Sequence, residues 1–136
     1  MKNNKQLILI LFSFTCFATS PVTTWSEDDG LRVDSSIDNG VVYVEVESLI
    51  EAPHELIWEV LTDYNRLAEY IPGMHSSRLL RYEGQTAFVE QHGVSELLFF
   101  TIPIDVVVKT IEFKPYSISI ELVSGNLDYL SGGYHL

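Results

Sequence analysis

The chain has little of what most chemistry is built from. It has one cysteine in 136 residues, so no disulfide can form within it. Basic residues are scarce, 8 Lys and Arg against 19 Asp and Glu, for a formal charge of −11. That balance argues against nucleic acid, because phosphate binding needs clustered cations. It argues against an anionic membrane surface for the same reason. No Gly-x-Ser-x-Gly elbow and no glycine-rich phosphate loop occurs. The four histidines, His54, His75, His92 and His135, form neither HxH nor HxxxH spacing. No metal and no cofactor is therefore expected.

Long apolar runs are also missing, with one short exception. Lys2 and Lys5 precede an uncharged apolar stretch, Leu7 to Ala18. A membrane-spanning helix needs about 20 apolar residues, so this stretch fits the core of a secretory signal better. Residues 1–26 are read as a signal peptide, cut after Ala18 or Ser26, with a periplasmic or secreted product and no stable membrane insertion after cleavage. Cys16 lies inside it, and Ser13 and Thr15 depart from a lipoprotein signal, so the cysteine leaves with the signal. Removal of Lys2 and Lys5 makes the remainder still more acidic. Residues 27–39, with the runs EDDG and DSSIDN, read as an acidic linker.

Positive patterning begins at Val41. Val42, Val44 and Val46 alternate with Glu45 and Glu47, a strand with one wet face. Ala52-Pro53 opens a helix, and Leu56, Ile57, Val60 and Leu61 form its apolar stripe with Trp58 beside it. Asp63 is placed to cap a second short helix ending at Pro72-Gly73. Glu51, Glu55 and Glu59, four apart, read as a solvated face of the first helix. Strands follow at 76–83 and 86–92, with Gly93 as a breaker. Apolar runs at 97–102 and 104–113 are separated by Pro103, which forces an edge, a bulge or a bend. Ser117 to Val123 alternates Ile118, Ile120 and Leu122 against Ser117, Ser119 and Glu121, and a last strand begins at Gly132. One strand, two short helices and a run of antiparallel strands make an α+β layout with a curved sheet.

The block from Ile50 to Leu80 carries Ala52-Pro53, Ile57-Trp58, Leu61-Thr62-Asp63-Tyr64 and Ile71-Pro72-Gly73-Met74. It resembles the START-like, Bet v 1-like (SRPBCC) superfamily, in its polyketide cyclase-like and coenzyme Q-binding branch. Val89-Glu90-Gln91, Phe99-Phe100, Lys114-Pro115, Gly125 and Gly133-Tyr134 agree, although Tyr134 stands where that pattern has Trp. The resemblance covers residues 40–136 and implies a helix-grip fold, an antiparallel sheet curled around a long C-terminal helix with an apolar cavity between them. On this resemblance the chain stops before the last strand and the long helix. The domain is then expected to be incomplete, with an uncovered apolar face and self-association through it.

What the resemblance implies is a binder of a small apolar ligand such as a lipid, a quinone or a polyketide-like molecule. The residues expected at the ligand are Trp58, Tyr70, Met74, Phe88, Gln91, Phe100, Ile118 and Ile120, with Arg78, Arg81 and Tyr82 as further polar anchors. Trp58 is also explained as core, and Ile71 to Met74 as a plain helix-ending turn. A cyclase- or dehydratase-like enzyme is the alternative, and it needs polar groups such as Arg81, Tyr82, Glu90 and His92 converging inside the cavity. A protein-interaction module is the third reading.

Overall fold

A computed structural model describes residues 31–39, 41–97 and 100–136. The expected signal peptide lies outside the described residues, and so does Phe99. The first element, β1 (Leu31–Asp38), pairs antiparallel with β2 (Val41–Ser48). Most of the stretch read as a linker is therefore a strand. Its apolar residues do alternate (Leu31, Val33, Ile37), but the acidic residues between them mask the pattern. Arg32 offsets that charge by reaching Asp34 at 2.9 Å and Glu47, across the pair, at 3.7 Å. Asp38 pairs with Val41, and Asn39 takes the left-handed conformation (φ 50°) that a tight reversal requires.

Helix α1 (His54–Thr62) starts behind Pro53, whose carbonyl accepts from the amides of Leu56 and Ile57. Its buried side is Ile57 and Trp58, while Leu56 and Val60 are exposed. The true stripe is thus rotated by about one residue from the expected one. Asp63 ends α1 rather than capping the next helix, α2 (Leu67–Tyr70), which starts at Arg66 without a side-chain cap. The Asp63 carbonyl accepts from the Arg66 amide at 2.9 Å, so backbone makes the turn.

The remaining strands, β3 (Met74–Glu83), β4 (Thr86–Leu97), β5 (Phe100–Phe113), β6 (Ser117–Gly125) and β7 (Ser131–His135), form one antiparallel sheet in sequence order. This is the α+β architecture expected, a five-stranded main sheet with two short helices. Gly93 does not break its strand, and Pro103 does not divide its own; both run through. Pro103 is tolerated because β6 does not reach it: the β5–β6 ladder starts at Val106 opposite Gly125. There the Pro103 carbonyl accepts from the Asn126 side chain at 2.7 Å.

Strand parity sorts the two faces. Ala87 and Val89 of β4 and Val106 and Val108 of β5 are buried, and they form the core with Tyr64, Leu67, Leu127 and Leu130. The opposite parity is charged, with Arg78 on Glu90 at 2.8 Å, His92 on Asp105 at 2.7 Å and Lys109 on Glu121 at 2.7 Å. Among the described residues no helix is long and apolar enough to cross a membrane.

Candidate functional site

The inward face of the sheet is concave and carries a cavity of about 420 Å³. Four strands supply its floor: Gln91 and Gly93 from β4, Ile104 to Thr110 in alternation from β5, Ile118 and Ile120 from β6, and Tyr134 from β7. Leu61, Tyr64 and Leu67 from the helical segment form the opposite wall, with the Ile71 to Met74 turn as the rim and Val44 of β2 at one side. Inward parity makes this wall aliphatic, because every second residue of β5 from Ile104 to Val108 is branched and apolar.

The rim is fixed by a close approach of two backbones. Gly73 takes φ 81°, and its carbonyl accepts from the Val94 amide at 2.8 Å. Opposite it, a Cβ on Gly93 would lie 2.4 Å from the Gly73 oxygen and 2.9 Å from the Met74 Cα. Only a glycine lets the turn lie this close to β4.

Polar groups at the cavity are few. The Tyr64 hydroxyl donates to a Glu112 carboxylate oxygen at 2.8 Å, and Tyr82 donates to the same oxygen at 3.0 Å. Burial first, then the hydrogen bond to Glu112, push the Tyr64 phenol well above the ordinary tyrosine range. The same causes raise Tyr82 to about 12. Burial also raises Tyr134. Thr110 is 3% exposed, and its hydroxyl, near the Tyr64 oxygen, makes no well-formed hydrogen bond among the described residues. Among the described residues, no Lys, Arg, Asp or Glu lines the cavity.

Of the residues expected at a ligand, Met74, Gln91, Ile118 and Ile120 line this cavity. Trp58 is buried on α1 outside it, its carbonyl accepting from the Thr62 hydroxyl. Tyr70 is exposed on α2, with the Arg66 guanidinium 5.5 Å from its ring centre. Phe88 has the outward parity of β4, and Arg81 stacks over it at 3.7 Å. Phe100 opens β5, and its side chain lies outside what is described. Sheet parity gives the inward positions on either side of Phe88 to the smaller Ala87 and Val89. Tyr64 and Thr110 were missed. The signal for Thr110 was there, a lone hydroxyl continuing the inward series of Ile104, Val106 and Val108.

The polar set needed by an enzyme does not converge. Arg78, Glu90 and His92 form an exposed chain on the outward parity, which continues through Asp105. His92 borders the cavity at its edge, but its ring is held by Asp105. The hydrogen bond to Asp105 raises the His92 pKa, and the Arg78 guanidinium holds the Glu90 carboxyl below its ordinary range. Arg81 pairs with Glu83, and Tyr82 with Glu112. A second hollow of about 410 Å³ lies between β2 and β7. It is a gap between two sheet edges, lined partly by Ser117, Ser119, Ser131 and the bare backbone of Gly132 and Gly133.

A family model described as polyketide cyclase / dehydrase and lipid transport matches residues 50–136. No significant match was found among curated proteins or among solved structures.

Proposed function

We propose, from the premise that the chain belongs to the polyketide cyclase / dehydrase and lipid transport family, that it binds and carries a small apolar molecule in the concave face of its sheet. The observation that carries this reading is the cavity of about 420 Å³, walled by aliphatic side chains of β5 and β6 and by Leu61 of α1 and Leu67 of α2. Sites for small ligands are mostly apolar with a few placed polar groups, and this one has that composition. Binding is driven by burial, at about 25 cal/mol per Å² of apolar surface removed from water, less the cost of association.

A carrier is favoured over a cyclase or dehydratase because Glu90 and His92 pair with each other on the outward parity and Arg81 is held by Glu83, so the polar residues of that alternative do not gather inside the cavity. Export, expected from Lys2, Lys5 and the Leu7 to Ala18 run, belongs to the same reading and puts the carrier in the periplasm or outside the cell. The test is solvent extraction of the full chain purified from its native source, followed by mass spectrometry, with a binding panel of lipids and quinones. An apolar molecule in the extract, or saturable binding of one from the panel, is expected. An empty extract together with a silent panel refutes the reading.

A further inference from the structure

Three polar side chains of the cavity wall have no hydrogen-bond partner among the described residues: Gln91 and Ser95 of β4 and Tyr134 of β7. The other polar groups there are committed. Tyr64 donates to Glu112, the Thr110 hydroxyl is buried beside the Tyr64 oxygen, and the His92 ring is held by Asp105. Gln91 stands out by its place. Inward positions of β4 run Ala87, Val89, Gln91 and Gly93, so the amide follows two buried apolar residues and stands just inside the rim. It is half-buried and makes no bond to Ser77, directly opposite on β3, whose hydroxyl is itself buried without a partner. A primary amide carries two donor hydrogens and an acceptor oxygen.

Ser95 lies further along β4, beyond the contact of Gly93 with Gly73. Tyr134 lies at the opposite corner of the floor. It is in register with Ile118, and Ile118 with Glu112 of β5, whereas Gln91 is in register with Val106. Measured over the sheet, the Cα positions of Gln91 and Tyr134 are roughly 20 Å apart along the strands and about 14 Å apart across them. Val106, Val108 and Ile120 cover the floor between. One compact head group can therefore meet Gln91 or Tyr134, but not both.

We propose that Gln91 holds the head group of an amphiphilic ligand, an uncharged group that both donates and accepts, while the apolar body of the ligand lies over Val106, Val108 and Ile120. The inference rests on the carrier reading above and names the chemistry and the orientation of its ligand. A carboxamide head fits best, since its N–H donates to the Gln91 oxygen and its oxygen accepts from the Gln91 nitrogen. A carboxylate has no hydrogen to donate, and among the described residues no Lys or Arg lines the cavity to balance its charge.

The test compares naphthalene, acetonaphthone, naphthamide and naphthoate by titration calorimetry at pH 8, on the full chain and on Gln91→Met, Gln91→Glu and Tyr134→Phe. Naphthamide should bind about tenfold tighter than naphthalene, the gain of one to two net hydrogen bonds, with acetonaphthone between them. Naphthoate should bind no tighter than naphthalene. Gln91→Met, of similar length and shape, should keep the naphthalene affinity and lose this order. Gln91→Glu keeps acceptors only, so it should retain part of the naphthamide gain and lose that of acetonaphthone. Tyr134→Phe should leave the order unchanged. Equal binding of naphthalene and naphthamide, naphthoate as tight as naphthamide, an order that survives Gln91→Met, or one that disappears in Tyr134→Phe overturns the anchor and leaves the carrier reading standing. Where the Gln91 variants fail to fold, the order of the four probes on the parent chain still decides. Failure of all four probes to bind overturns both.

Discussion

Replacing Gly93 with alanine isolates the contact that shapes the cavity rim. Its backbone is not in a left-handed conformation, so an alanine there meets a steric problem alone. The new Cβ would lie 2.4 Å from the Gly73 oxygen and 2.9 Å from the Met74 Cα, both of them backbone. No side-chain rotation relieves such a clash. Either β3 and the turn move away from β4, or the bond from the Val94 amide to the Gly73 carbonyl opens. Overpacking costs about 1–3 kcal/mol and a lost hydrogen bond about 1 kcal/mol, so the expected loss is about 2–4 kcal/mol. For a domain of this size that lowers the melting temperature by roughly 10–25 °C. Gly84 is the control: it has φ 61° but nothing within 4 Å of its Cβ position, so alanine there meets conformational strain alone. That strain is about 1 kcal/mol. Thermal melts followed by circular dichroism measure both variants. If Gly93→Ala melts within a few degrees of the parent, or no lower than Gly84→Ala, the reasoning from backbone contact is wrong.

Three other outcomes are expected. His92 has its pKa raised by Asp105 and Glu90, so its contribution to stability is fully present below its unfolded value near 6.5 and fades as pH climbs through the higher folded value. Urea midpoints of the parent and His92→Gln should therefore lie further apart at pH 5.5 than at pH 9; a gap that widens with pH contradicts this. Tyr64→Phe leaves Glu112 its bond to Tyr82 and should cost about 1 kcal/mol in urea unfolding, the net worth of the lost hydrogen bond. Ile120→Trp places bulk in the cavity and should abolish naphthalene binding in calorimetry while the chain still melts cooperatively.

Period-two patterning from Thr86 onward was the most legible part of the fold, although its limits came from parity and charge. The strands around Ala87–Gln91 and Ile118–Leu122 follow directly from alternation, and the α+β order follows with them. The strand β1 was hidden because Asp34, Ser36 and Asp38 look like linker until Arg32 and β2 are beside them. Gly93 and Pro103 read as breaks, since their tolerance depends on neighbours far along the chain: the Gly73 turn for one, the short reach of β6 for the other. Of the residues the resemblance put at a ligand, Trp58 is buried away from the cavity and Phe88 takes the outward parity of β4. Gln91, Ile118 and Ile120 stand on inward strand positions and line the cavity.

The hairpin of β1 and β2 forms its own two-stranded sheet, with no ladder joining it to β7. A lone hairpin is at best marginally stable in water. Its amides should exchange with solvent through local opening, at a free energy well below that of the β4 and β5 amides. Since Val44 of this hairpin is part of the cavity wall, a unit that opens locally is also one side of the cavity. Local opening of this hairpin therefore uncovers that side of the cavity on a timescale set by local rather than global unfolding.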